Sequence, residues 1–291
     1  MIDLSDKKGY IYTAASIVAA SLMYILTKLA VSSVNIYSLM GIYFSAAFLT
    51  GMISSKIFIK IDLFYELKTH LFLIVVLSGL TIVGAYFWFL SIDHAGAATT
   101  SLLAKMQTIF TVAAGVILLK ERFAKSAWIA VVGTIIGSIL VVYKGGHVDF
   151  QGVLWMSIFS VSYALQAYLV RRVAASVDMI ALTVWRSFFI ALFFLSAALS
   201  EGNFHVPQIG YFIVICIAGI MGAYLSKGFQ YLAFRHLPIS TVSVLTNGES
   251  VLTLILAAAF LNERLSLINI SGGVLIIVGA VFLITHLTHQ T

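Results

Sequence analysis

Residues 237–265 read LPISTVSVLTNGESVLTLILAAAFLNERL, and residues 95–123, 142 positions earlier, read AGAATTSLLAKMQTIFTVAAGVILLKERF. Laid over one another, Thr99 falls on Thr241, Ser101 on Ser243, Thr111 on Thr253 and Glu121-Arg122 on Glu263-Arg264. The register extends outward in both directions, pairing Phe87 with Phe229, Leu90 with Leu232, His94 with His236 and Gly137 with Gly279. At an offset of 143, Gly9 meets Gly152 and Asn35 meets Asp178. The chain is therefore a duplication, and the duplicated stretch is a long apolar run ending in a charged pair.

A helix needs roughly 20 mostly apolar residues to cross the hydrocarbon layer of a bilayer. Ten stretches qualify, near 10–31, 36–54, 71–92, 96–119, 124–143, 152–170, 179–200, 209–232, 237–261 and 267–286. Composition agrees: 61% of residues are hydrophobic and 10% charged, against about 25% charged in soluble domains. So few charges cannot cover the surface of a soluble protein of this length. The linker around Lys56 to His70, which carries Asp62 and Glu66 among its lysines, is expected to form a short interfacial helix. The predicted fold is an all-α membrane protein of ten transmembrane helices, divided into five-helix repeats at 1–146 and 147–291. Five is odd, so two copies of one fold must enter the membrane from opposite sides. Inverted repeats of this kind place a solute site near mid-bilayer, between the halves.

Orientation follows from the cations. With the N-terminus cytoplasmic, inner loops hold Lys7, Lys8, Lys56, Lys60, Lys68, Lys120, Arg122, Lys125, Arg171, Arg172 and Arg235, while outer loops hold only Lys144 and Arg264. Basic loops stay cytoplasmic, so both termini are expected there. The net charge of +6 is then a membrane-topology signal, and no basic patch interleaved with aromatics points to nucleic acid. Cys216 is alone, so no intramolecular disulfide can form. The apolar run after Lys7-Lys8 lacks a short core with an A-x-A-like cleavage site, which reads as an uncleaved first span.

The motif Leu119-Lys120-Glu121-Arg122-Phe123 and its repeat Leu261-Asn262-Glu263-Arg264-Leu265 are each followed by a glycine-bearing helix, with Gly133 and Gly137 in one half and Gly272, Gly273 and Gly279 in the other. With Arg186 in Trp185-Arg186-Ser187-Phe188 and with Leu237-Pro238, they resemble the EamA-type transporters of the drug/metabolite transporter superfamily. The resemblance covers nearly the whole chain. It implies a secondary carrier of amino acids, their derivatives or other small metabolites, frequently outward, coupled to protons or to a counter-substrate. Thr108 and Ser250 stand where that family usually has a proline inside the fourth and ninth spans. Glu249 matches the acidic residue before that proline, its first-half counterpart is Gln107, and Tyr43 stands where an arginine is common. These departures lie where a substrate would sit, so no relative's substrate transfers.

A charge at mid-bilayer costs about 2.5–3.5 kcal/mol on insertion scales, so each one needs a reason. Lys28 and Lys227 lie near span ends, where a long stem can lift the ammonium to the interface; a full apolar turn separates Lys227 from Arg235, so Lys227 is equally a candidate for the solute site. Lys105 and Glu249 lie near the middle of their spans, falling on Asn247 and Gln107 respectively in the repeat alignment. They either pair to fix helix packing or line a solute path. A lysine would attract a carboxylate or phosphate, and Arg186 could hold one in bidentate fashion unless backbone carbonyls occupy it. Glu249 would hold an ammonium or carry a proton. Tyr163, Trp185 and Tyr224 are expected cavity walls, and Gln166 either a deep polar contact or a helix–helix hydrogen bond.

The expectation is a secondary transporter of a small carboxylate-bearing or zwitterionic solute, embedded as a monomer or homodimer in a bacterial inner membrane. Carriage of a cationic or phosphorylated metabolite is the alternative. An intramembrane enzyme would need a Ser/His, Asp/Asp or His-rich set at membrane depth, and none can be assembled. There is no Walker-type loop for nucleotide, no Cys/His metal set, and no cofactor motif.

Overall fold

The computed structural model describes residues 4–59, 62–96, 100, 101, 103, 104, 106–120 and 150–261, with individual helical residues between 128 and 140 and between 267 and 282. These residues form helix and connecting turns. The helices are α1 (Leu4–Ala30), α2 (Ile36–Ser54), α3 (Leu63–Ala95), α4 (Met106–Leu118), α5 (Phe150–Val173) and α6 (Met179–Ser200), followed by α7 (Ile209–Gly219), α8 (Lys227–His236), α9 (Ile239–Leu245) and α10 (Gly248–Leu261). A π turn, Ile220–Ser226, joins α7 to α8, so the two form one continuous span. Among the described residues, seven helices are long and apolar enough to cross a membrane, and Met106–Leu118 is a shorter apolar one. The expected fifth and tenth spans, and Lys105, lie largely or wholly outside the described residues.

Local chemistry sets the helix starts. Asn35 caps α2 by accepting from the Ser38 amide, and Asp178, its counterpart in the repeat, caps α6 by accepting from Ile180 and Ala181. The amphipathic linker does become helical, but it runs on into α3. Asp62 caps its start, and the chain bends at His70 (φ −121°, ψ 20°) before the apolar span proper.

Large apolar side chains face outward as well as inward, and polar ones are buried among the apolar core. Phe72, Ile209 and Phe260 point outward, while Thr81, Ser160, Gln166, Arg186 and Asn247 are buried. Buried hydroxyls such as Thr13, Ser78, Thr183 and Ser187 bond the carbonyl four residues back in their own helix, which leaves a small, satisfied surface for close helix contact.

The packing repeats the duplication. α2 lies against α6, its own counterpart, and α1 lies against α7 and α8 as α5 lies against α3. Likewise α1 meets α10 as α5 meets α4, and α4 meets α9 across the seam. Individual contacts repeat too. Tyr12 packs on His236 at 5.9 Å between ring centres, and the equivalent Trp155 packs on His94 at 5.7 Å. Lys28 Nζ donates to Ile92 O, and the equivalent Arg171 donates to Phe234 O. These contacts fix direction. The start of α1 abuts His236 and Leu237, and its end reaches Ile92 and Asp93. The start of α5 abuts His94, next to the end of α1, and its end reaches Phe234. Helices α1 and α5 therefore run in opposite senses, with Gly9 and Gly152 at opposite ends of the bundle.

Candidate functional site

Two spans are broken where the halves meet. In the first half a turn at Ala104 precedes α4, and in the second α9 and α10 flank a break at Thr246-Asn247. The usual i→i−4 pattern tightens there: Gln107 N bonds Ala104 O, Asn247 N bonds Val244 O, and Glu249 N bonds Thr246 O. Neither break needs a proline. The residues at the equivalent positions use hydroxyls, each crossing to the other half. Thr108 Oγ1 reaches Ser243 O at 3.4 Å, and Ser250 Oγ reaches Ser101 O at 2.9 Å.

Beside these breaks lies a cavity of about 80 Å³. Its walls differ in character. The first half contributes Met23, Tyr24, Tyr43, Phe44, Ala85, Trp88 and Phe89, a largely aromatic face, with Gln107 and Thr108 at its edge. The second half contributes Arg186, Lys227, Gln230, Asn247 and Glu249, with Phe159 and Tyr163. Equivalent positions of the duplication explain the asymmetry. Arg186 stands opposite Tyr43 at the offset of 143, and Lys227 opposite Ala85 at 142. At both pairs of equivalent positions the residue is charged in the second half and neutral in the first.

Arg186 is 1% exposed. One Nη donates to Gln166 Oε1 at 3.2 Å and to Tyr231 Oη at 3.0 Å, and the other to Ala223 O at 3.2 Å. The π turn makes that carbonyl accessible. Lys227 N, which in an α-helix would bond Ala223 O, reaches Gly222 O instead. Tyr231 donates to Gln166 at 2.6 Å, and Gln166 Nε2 donates to Thr81 at 2.5 Å, so the amide that orients Arg186 is itself held. Arg186 Nε is buried with no hydrogen-bond partner among the described residues, and no carboxylate there forms an ion pair with the guanidinium.

Lys227 turns inward rather than to an interface. Its Nζ donates to Gln230 Oε1 at 2.8 Å and lies 4.3 Å over the Tyr163 ring. Lys28, by contrast, ends at the carbonyls of Ile92 and Asp93, at the end of its helix. Glu249 lines the cavity near Tyr24, whose hydroxyl accepts from Trp88 Nε1 at 2.9 Å.

Six expected site residues thus share this cavity: Gln107, Tyr163, Arg186, Lys227, Asn247 and Glu249. Three others do not line it. Gln166 stands one layer behind, supporting Arg186. Trp185 is corrected: its indole donates to Leu63 O at 2.7 Å, and the ring packs on Phe48, Phe64 and Phe188. Adjacent residues on a helix point about 100° apart, so a helix that turns Arg186 inward turns Trp185 toward α2 and α3. Tyr224 is corrected as well. Its hydroxyl meets Ser54 and its ring lies on Gly51, because the turn that brings Gly222 and Ala223 to the cavity carries Tyr224 past it. Lys105 lies outside the described residues. Tyr24, Trp88 and Gln230 entered the cavity without having been expected there. Trp88 and Gln230 are equivalent at the offset of 142, and that is the signal that could have found them.

The chain matches the EamA-like transporter family over residues 7–143 and again over 150–285. It belongs to that family. The two matched segments restate the duplication, and membership makes the chain a multi-pass membrane protein of a transporter family rather than of an enzyme family. A solved crystal structure, described only as that of a protein, is similar over 98% of this chain and 99% of its own length. Its TM-score is 0.78 at 15% identity, a likeness of fold alone. No curated protein matches the chain.

Proposed function

We propose that this EamA-family protein is a secondary carrier that binds a small carboxylate-bearing or zwitterionic solute in the central cavity and moves it by alternating access. The observation that carries the reading is Arg186, 1% exposed on the cavity wall, with no carboxylate partner among the described residues. A buried guanidinium held only by neutral acceptors among the described residues lacks a paired counter-charge, and a solute carboxylate would supply one. Lys227 adds a second cation, and Glu249 supplies the acceptor for an ammonium group or the carrier of a coupled proton. Facing them, Tyr24, Tyr43, Phe44, Trp88 and Phe89 suit an apolar body on the same molecule. The Tyr163 face is already taken by Lys227, which argues against a quaternary ammonium held in an aromatic box.

Alternating access would exchange the roles of halves 1–146 and 147–291, rocking about the seam where α4 crosses α9. The cations Arg171 and Arg235 gather at the bundle end that holds Gly9, which supports cytoplasmic termini in a bacterial inner membrane. A phosphorylated metabolite is the second reading, favoured by two cations against one carboxylate on the polar wall. Uptake of labelled apolar amino acids and of sugar phosphates into vesicles holding purified protein separates the two. Accumulation of the amino acids under a proton gradient or by counterflow is expected. Absence of flux for every carboxylate tried would overturn the reading.

A further inference from the structure

Asn247 lies in the break between α9 and α10, fully buried, on the wall of the cavity. Its side-chain oxygen is spoken for: Thr108 Oγ1, from the other half, donates to Oδ1 at 2.7 Å. An amide with its oxygen fixed has its nitrogen fixed too, and Nδ2 is buried with no acceptor among the described residues. The reverse orientation is worse placed. It would make the Thr108 hydroxyl accept an N–H at 2.7 Å, the short limit for such a bond and the usual length for O–H···O, and would leave its proton only Ser243 O at 3.4 Å. Arg186, from the same cavity wall, holds the other buried side-chain nitrogen without a partner among the described residues, its Nε.

Buried donors are almost always satisfied, so two buried nitrogens without partners among the described residues, on two residues of one cavity wall, point to a ligand that brings acceptors. We propose that Asn247 Nδ2 and Arg186 Nε together receive the carboxylate of the transported solute, and that Thr108 is the positioning residue that turns the Asn247 amide donor-side inward. This rests on the carboxylate reading above and assigns its anion subsite. It also gives the threonine at the break a task its counterpart lacks. Ser250 gives its hydroxyl proton to a backbone carbonyl, whereas Thr108 gives its single proton to a cavity side chain at 2.7 Å, with the Ser243 carbonyl farther off at 3.4 Å. The clamp draws on both halves at once, so it is complete only while the two broken spans stay crossed.

The test is a binding titration of the purified full-length protein with L-leucine, L-methionine and L-phenylalanine, each against its carboxamide, which keeps the ammonium and side chain and lacks the anion. Wild type is expected to bind the acids and reject the amides. Thr108→Val should weaken acid binding about tenfold, the size of one lost charge-assisted bond. Thr108→Ser should restore it. The isosteric Asn247→Asp should abolish acid binding while ligand-free melting stays close to wild type. If wild type binds none of the acids, the functional reading falls and the clamp with it. If wild type prefers acids but Thr108→Val and Asn247→Asp bind them unchanged, or if valine and serine at 108 are equally weak, the clamp alone is overturned.

Discussion

Two glycines three residues apart meet the same tyrosine in different ways, and that difference can be measured. A Cβ at Gly222 would lie 1.9 Å from Tyr43 Oη and 2.3 Å from Met23 Sδ. A Cβ at Gly219 would lie 2.0 Å from Tyr43 O and 2.8 Å from its carbonyl carbon. Ordinary contact is about 3.5–4.0 Å, so either methyl demands a retreat of roughly 1.5 Å. At Gly222 the obstacle is the tip of a side chain, and overpacking of that kind costs about 1–3 kcal/mol. At Gly219 the obstacle is the backbone of α2, and relief requires moving that helix off α7, so the cost lies at or above the top of that range. Thermal unfolding in detergent should show Gly219→Ala as the more damaging change. Tyr43→Phe removes the hydroxyl and should recover about 1 kcal/mol or more of the Gly222→Ala loss, while leaving the Gly219→Ala loss untouched. Equal rescue of both, or wild-type melting of Gly222→Ala, would refute the α2–α7 packing described above.

Arg186→Met should abolish binding of any carboxylate solute, and Arg186→Lys should weaken it about tenfold or more, because an ammonium cannot serve Gln166, Tyr231 and Ala223 while offering a further donor; equilibrium titration checks both. Glu249→Gln should remove the response of vesicle uptake to a proton gradient while counterflow persists, a separation read from the two assays on one preparation. Asp178→Ala removes the acceptor for the Ile180 and Ala181 amides and should destabilise the protein by about 1 kcal/mol, measured as a fall in melting temperature.

The sequence carried the duplication in its spacing, and the packing of α1 against α8 and of α5 against α3 is the same statement in three dimensions. Offsets of 142 and 143 also foretold that Asn35 and Asp178 do one job, as do Lys28 and Arg171. Side-chain direction was less legible. Trp185 and Arg186 are neighbours in sequence, and only the phase of α6, set by its packing on α2 and α3, decides which one faces the cavity. Lys227 was ambiguous for a similar reason. Its depth fitted either a span end or the cavity, and the π turn before it rotates α8 so that the ammonium meets Gln230 and Tyr163. The contribution of Thr108 was hidden because a lone hydroxyl inside an apolar span is usually satisfied within its own helix. Its partner Asn247 lies 139 residues away, and no local pattern links the two.

Alternating access requires one cavity that opens in turn to each side of the membrane. Ala85 lines that cavity at the neutral counterpart of Lys227, and a Cys216→Ser background removes the chain's own thiol. A cysteine introduced by Ala85→Cys should react with a membrane-impermeant thiol reagent applied to either face of sealed vesicles of known orientation. Reaction from one face only, under every gradient applied, would contradict the account.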